Sequence, residues 1–529
     1  MSMASGVVTR VIGWSAVVVL VPVVLLAMAL RDPGRADFVL GNGNEPKSLD
    51  PAEASAIPEG RVARFLFEPL VTLDNATLEP LPGAALSWTS DPTGLRWTFT
   101  LRDDGRFADG TRVEAAHFVD AFRRLVDPKT ASRAAAYLLD VANARAVRAG
   151  KRPPDALGVA ATSPTTFVMT LETRPADFIR SLAFPALVPL KIVESADGRA
   201  SGRRIIGNGP FRVDYRRPRD RIRLERNPHH RDAAKTPRTV DVLACDSAGT
   251  LLNMFLAGDV DRVTDVPPSL VAPLRARADG ALRTAPMSGT YFLRVNTRKP
   301  HLADIRVRRA LDLAVDREAL VRAALPGGES AANGLVAPAS GWNPRPPRGD
   351  PAEARRLLDA FLAEKGLREL PPVEYAYNTL DIHQTIAEVL QRGWTETLGI
   401  RVRLARMENA SLLAAVKAGD FDLARGSWIA DHTDPTTFLD VFRSDAPNNQ
   451  TGFADPTFDA RLAAGAALPE GPARLTALFD AESVLLDASA VIPIHHYASY
   501  NLVARNVRGF GLNALDIHFP QQFETETSR

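Results

Sequence analysis

At 529 residues, with 45% hydrophobic and 24% charged side chains, the chain has an ordinary globular composition and length enough for roughly three or four domains. A net charge of +2 gives no field for gathering nucleic acid. The single cysteine, Cys245, excludes an intrachain disulfide, a cysteine-based zinc site and an iron–sulfur cluster built from one chain.

Arg10 precedes a nearly unbroken apolar run at 11–30 that ends in Ala27-Met28-Ala29, the small-x-small pattern after which signal peptidase cuts. The run predicts export. At about 20 residues it is long for a signal core and short for a membrane span, so removal and retention as an anchor both stay open. No cysteine follows it to carry a lipid, and no second run of this kind occurs, so the body is expected to be soluble.

Residues 38–43 read as an opening strand, and 44–51, with Pro46 and Pro51, as a loop. A short helix is expected at 61–70. Residues 95–102 alternate like a half-buried strand, turned by Asp103-Asp104-Gly105. From 114 to 126 apolar residues recur at helical spacing, Phe118, Val119, Phe122 and Leu125 on one side, until Asp127-Pro128 stops them. Strands return at 203–227 around the turn Gly207-Asn208-Gly209-Pro210. A helix is expected over 304–325, a proline-rich loop over 342–351, and a further amphipathic helix over 381–398 carrying Ile382, Ile386, Val389 and Leu390. No repeat of fixed period appears, which argues against a solenoid or propeller.

The catalytic signatures are missing: there is no Gly-x-Ser-x-Gly, Walker loop, Gly-x-Gly-x-x-Gly or His-Glu-x-x-His. Of nine histidines, His229-His230 and His495-His496 are adjacent pairs. Neighbours on a strand face opposite ways, so neither pair chelates a metal alone, and ordinary strand or loop roles are the plainer reading. His383 falls in the first turn of the 381–398 helix, where the helix dipole disfavours a charged imidazole unless an anion is near.

The stretch 421–438 sets Arg425 and Asp431 six residues apart in apolar surroundings. Phe421, Leu423 and Arg425 share one phase of a strand pattern, so the guanidinium is expected on a core-facing side. Asp434-Pro435-Thr436-Thr437 reads as a helix N-cap followed by proline, which gives Asp434 a structural task. Asp431 has none. Spacing alone leaves two readings open: the two charges neutralise each other or nearby side chains, or each awaits an outside partner.

Several segments occur in a telling order: Glu45-Pro46-Lys47-Ser48-Leu49-Asp50-Pro51, Leu66-Phe67-Glu68-Pro69-Leu70, Trp97-Thr98-Phe99-Thr100-Leu101-Arg102, Asp109-Gly110-Thr111 and Arg124-Leu125-Val126-Asp127-Pro128. Gly207-Asn208-Gly209-Pro210-Phe211, Arg226-Asn227-Pro228, Ala257-Gly258-Asp259-Val260-Asp261, Asn296-Thr297-Arg298-Lys299-Pro300 and Tyr377-Asn378-Thr379 follow, before the Arg425–Asp431 stretch itself. Across about 44–508 this order resembles the extracytoplasmic solute-binding proteins of peptide-importing ABC transporters, the oligopeptide- and dipeptide-binding type, solute-binding family 5.

The resemblance implies an α/β, two-lobed periplasmic-binding-protein fold of the large class, behind the N-terminal apolar segment 1–35. The first lobe would take 36–75, 187–290 and 498–529, an extra inserted domain 76–186, and the second lobe 291–497. Ligand would be enclosed between lobes that close about a hinge. By the same resemblance, Asp431 would hold a peptide's α-ammonium, Arg425 and His383 would meet its carboxylate, and Trp428 would wall the pocket. Main-chain bonds would add the peptide as an extra strand, with wet side-chain pockets. Two further basic positions of the pattern are Val416, beside Lys417, and Leu325 here, which leaves ligand length open.

The function implied is that of a non-enzymatic, monomeric receptor that hands short peptides to ABC permease subunits, using no cofactor, metal or nucleic acid. Two alternatives stand beside it. One is a receptor for another solute, such as a nickel complex or a glutathione-like ligand; the other is a secreted hydrolase using Asp431 and His432.

Overall fold

The computed structural model describes residues 34–54, 56–175, 177–194, 203–264, 266–325, 327–338 and 342–525. The apolar run at 11–30 lies outside them. Among the described residues no helix is long and apolar enough to cross a membrane.

The chain opens with strand β1 (Phe38–Gly41) and helix α1 (Ile57–Leu66). The helix starts and stops earlier than its expected 61–70. Pro58 suits its first turn, and Pro69 disfavours helical backbone at Glu68, so Phe67 is already extended. Strands β2 (Ala85–Ser90) and β3 (Arg96–Leu101) follow, then helix α2 (Ala115–Val126), then β4 (Val159–Ser163) and β5 (Thr166–Thr170). They form a four-stranded sheet in the order β2-β3-β5-β4. Glu114 and His117 cap α2 reciprocally, and its face of Phe118, Phe122 and Leu125 packs on Phe99 and Phe167. Full burial of each such side chain is worth about 1.5–3 kcal/mol, enough for this segment to hold a core of its own.

Strands β6 (Phe211–Arg217), β7 (Arg221–Arg226), β8 (Thr239–Leu243) and β9 (Arg262–Val263) lead into the long β10 (Leu282–Val295). After it come helices α3 (Ile305–Leu313) and α4 (Arg317–Ala324). These two replace the single helix expected at 304–325. The break falls at Ala314–Asp316 because the Asp316 side chain accepts from the Ala319 N–H, capping a second helix rather than continuing the first. Strand β11 (Val373–Asn378), helix α5 (Asp381–Leu398), strand β12 (Val402–Met407), helix α6 (Asn409–Ala418), strand β13 (Leu423–Ile429) and the long β14 (Val491–Val503) complete the elements that position the site.

The main sheet includes strands in the order β6-β7-β8-β1-β9-β14-β10-β13-β11-β12. The long antiparallel pair β10 and β14 lies near its centre. Leu282 to Pro286 pair with Leu502 to Ala498 in step, after which the register shifts and Thr290 pairs with His496. Pro286 lacks an N–H to donate and Gly289 lacks a side chain to pack, so the ladder is locally weakened at this register shift.

Candidate functional site

Strand β13 carries the centre of the site. Antiparallel to β10, it sets Arg425 opposite Leu293, Ser427 opposite Tyr291 and Trp428 opposite Thr290. On its other side β11 pairs with it only at Leu423 and Ala424. From Arg425 onward that edge meets no further strand among the described residues. Unpaired strand edges accept an extended chain, because alternate N–H and C=O groups point outward.

Arg425 shares its face with Leu423, as the alternation predicts, while Phe421 lies ahead of the strand and packs with Ala424 and Val416 on the other face. The shared phase expected for all three residues therefore holds only within the strand. Around the Arg425 guanidinium is a bowl of aromatic and imidazole rings. Its Nη2 donates to Tyr497 Oη at 3.2 Å, and its carbon lies 5.3 Å from the Tyr291 ring centroid. Tyr291 is held by Tyr375 through a 2.9 Å hydroxyl contact and by the His495 ring stacked at 5.0 Å. His383, buried in the first turn of α5, stands 5.5 Å from the same ring.

Arg425 makes no ion pair among the described residues, and its Nε is buried without a hydrogen-bond partner. Burial depresses both His383 and His495 to about 3, with the nearby Arg425 charge adding to the effect. Both are neutral at pH 7, so Arg425 is the cation of this bowl. An isolated guanidinium in such surroundings favours an anionic partner.

Asp431 lies past the end of β13, with its carboxylate open to a narrow cleft. Crowding by the cleft walls raises its pKa above the usual carboxylate value, against the lowering effect of a hydrogen bond from Tyr137. No cation approaches it within ion-pair distance among the described residues. The two charges of the stretch do not pair with each other. Tyr137 belongs to the short helix Arg133–Leu138, and its ring stacks on Phe184 at 3.7 Å. Arg64, Tyr137, Phe184, Asp431, Leu515 and Ile517 line a cavity of about 20 Å³. That is room for one water, or for a group of ammonium size. Arg64 lies over the Phe519 ring at 5.8 Å, its Nε buried and unpartnered, and burial lowers it to about 10.

The loop after Asp431 is tied down by a carboxylate from another part of the chain. Asp177 accepts from the Thr433 N–H at 2.9 Å and from its hydroxyl at 3.0 Å, while Arg180 Nη1 braces the other oxygen at 3.1 Å. His432 Nδ1 stands 3.8 Å from Asp177. Asp434 accepts from the Thr436 N–H at 2.9 Å and is paired with Arg474 at 3.0 Å, but the residue that directly precedes the helix is Pro435, so Asp434 is not the N-cap expected from the sequence. The helix it precedes is only Thr436–Leu439.

Trp428 projects onto the opposite face from Arg425, half-buried against a cluster that includes Phe438 and Phe442, with Nε1 donating to Thr437 Oγ1 at 3.1 Å. Val416 and Leu325 are buried in apolar clusters. The histidine pairs diverge: His495 stacks on Tyr291 while His496 meets Thr290 Oγ1 at 2.9 Å, and His229 is exposed while His230 is buried near Glu68. Among the described residues, no three His, Cys, Asp or Glu side chains converge on a metal position.

The sequence places Arg425, Trp428 and Asp431 on or just after one strand and His383 in the first turn of a helix, and it gives no role to Tyr137, Asp177, Tyr291, Tyr375 or Tyr497. The alternation of His495 and Tyr497 along a strand was an available sign for the last. Tyr137 carried none, since nothing local marks a tyrosine that reaches a carboxylate almost three hundred residues away.

The chain matches known proteins over most of its length. The profile of the bacterial extracellular solute-binding proteins, family 5 Middle, matches residues 79–450. The chain is 34% identical to the periplasmic murein peptide-binding protein MppA of Escherichia coli over 89% of each chain. It is also 34% identical to the periplasmic oligopeptide-binding protein OppA of Salmonella typhimurium over 90% of each. Haemophilus influenzae OppA, solved in complex with the peptide RPPGFSPFR, superimposes with a TM-score of 0.75 at 30% identity, covering 92% of this chain and 98% of that one. A profile match over residues 79–450 and relatives 34% identical over about nine-tenths of the chain, in an α/β body of two lobes, leave one conclusion: the chain belongs to the bacterial extracellular solute-binding proteins of family 5.

Proposed function

We propose that this protein captures short peptides between its lobes and presents them to the permease subunits of an ABC importer. The observation that carries the reading is the pair of uncompensated charges, Arg425 and Asp431, at the two ends of an unpaired strand edge. Such a pair suits a zwitterion lying along the edge. Six residues of extended strand span about 20 Å, and both side chains shorten that reach, which fits a ligand of a few residues. The α-ammonium would enter the cavity beside Tyr137 and Asp431. The carboxylate would meet Arg425, with neutral His383 and the bowl of tyrosines excluding water, and Trp428 would wall the pocket from the other face.

The lobes of this reading are 36–75 with 187–290 and 498–529, and 291–497, with 76–186 inserted in the first. Closure would bend the β10–β14 pair at its register shift. The protein acts as a monomer, exported through its N-terminal segment and either released or held by it. It is a receptor rather than an enzyme: ligand leaves unchanged, and His432 lies beside Asp177 rather than forming a catalytic pair with Asp431.

Titration calorimetry of the purified chain with tri-alanine and with N-acetyl-tri-alanine amide tests the reading. Saturable heat with the free peptide and none with the blocked one is the expected result. Equal binding of both, or binding of neither, overturns it.

A further inference from the structure

Arg294 lies near the end of β10, opposite Ala424 of β13, and therefore on the sheet face away from Arg425. Its side chain crosses β13 above Gly426, where a Cβ would collide with Nη1 and with the Phe292 ring. Glycine at 426 is what lets the guanidinium lie there. The Arg294 carbon sits 5.1 Å from the Phe292 centroid, and Phe292 in turn packs edge-on against Phe442 at 5.7 Å. The one hydrogen bond the group makes is long, Nη1 to the Arg425 carbonyl at 3.4 Å, and its Nε is buried with no partner at all.

No carboxylate neutralises Arg294 among the described residues. The nearest charge is another cation, Arg425, which together with burial holds the guanidinium down at about 10. Two arginines thus flank the open edge of β13, one on each face, and neither has an anion. Arg425 suffices for one ligand carboxylate, so the second guanidinium is left over. Folding gains nothing from keeping a desolvated cation beside a like charge, whereas a ligand anion would satisfy it with paired, charge-assisted hydrogen bonds.

We infer that Arg294 is a specificity-determining residue that receives a second carboxylate, carried on an acidic side chain of the bound peptide. The inference rests on the peptide-capture reading of the same site. Its ligand class is the acidic short peptide: a zwitterion with one aspartate, glutamate or comparable carboxylate directed at the face of β13 above Gly426. Phe292, fully buried, supports the guanidinium itself from below.

The test is calorimetry of the full chain with tri-alanine and with tripeptides carrying Glu or Lys at each of the three positions in turn. At one position Glu should bind at least about tenfold tighter than Ala, and Lys weaker than Ala, as a charge-assisted hydrogen bond in a partly desolvated site requires. Arg294→Gln should abolish that preference while leaving tri-alanine affinity within a few-fold, and Arg294→Glu should turn it toward Lys. Thermal unfolding without ligand separates this from a structural role: relief of an unpaired cation keeps the Tm of Arg294→Gln at or above that of the parent. Tri-alanine binding with no Glu preference at any position, or a preference that survives Arg294→Gln, overturns the assignment of Arg294 alone. Failure of every free peptide to bind overturns the peptide reading and this inference with it.

Discussion

Arg425 donates through Nη2 to the Tyr497 hydroxyl at 3.2 Å and meets no carboxylate among the described residues, so a core-facing strand position carries a cation with neutral partners there. That relationship separates ligand binding from stability. Arg425→Met should lower affinity for free peptides by about tenfold to a hundredfold, the scale of one lost charge-assisted bond. It should lower the unliganded Tm little or not at all, because no ion pair is broken. Paired calorimetry and thermal unfolding check this; a large loss of stability with unchanged affinity would show that the arginine serves the fold.

Tyr137 reaches Asp431 from the separately packed segment around α2 and helps hold a carboxylate that its surroundings push toward the neutral form. Tyr137→Phe removes one hydrogen bond and almost no volume. Free-peptide affinity should fall about three- to tenfold, the effect of roughly 1 kcal/mol. Peptides blocked at the amine should be unaffected by the change. A pH titration of binding in the same variant should show Asp431 protonating at higher pH than in the parent.

Asp177 positions the loop after Asp431 through the two Thr433 bonds at 2.9 and 3.0 Å. Asp177→Ala leaves the Thr433 N–H without its acceptor and Arg180 with Glu79 as its remaining close carboxylate. Affinity for free peptides is expected to drop by about tenfold, with hydrogen exchange at Thr433 and its neighbours accelerated. Unchanged exchange there would remove Asp177 from the positioning role.

How far the sequence reached can be judged residue by residue. Helix α5 was legible because Ile382, Ile386, Val389 and Leu390 repeat at helical spacing from a sharp start, and the structure gives Asp381–Leu398. Arg425 was legible because alternation within a strand fixes the face of every second side chain. The single helix expected over 304–325 failed where Asp316, an ordinary interior residue by pattern, caps a second helix instead. Phe421 broke the alternation because the strand begins only at Leu423. Tyr137, Asp177 and Arg294 escaped notice for a common reason. Their significance comes from what tertiary packing brings against β13, and neither periodicity nor spacing records that.

Stability should fall with acid before most carboxylates titrate. Burial holds His383 and His495 at about 3 and His496 at about 4, against about 6.5 for an exposed histidine. With folded values depressed, the unfolded chain binds the extra protons. The stabilising contribution is complete above about pH 6.5 and is lost progressively as pH falls toward 4. Urea unfolding at pH 7.5, 6 and 5 should give a steadily lower midpoint at unchanged slope. A flat midpoint between pH 7.5 and 5 would contradict neutral burial of these rings.

The most direct test of the account is the affinity of Asp431→Asn for tri-alanine against its affinity for the N-acetylated peptide. The substitution keeps shape and removes the charge that would meet an α-ammonium. The account predicts a loss of about tenfold to a hundredfold or more for the free peptide, on the order of 1–3 kcal/mol, and no change for the blocked one. Free-peptide affinity equal to that of the parent chain would contradict it.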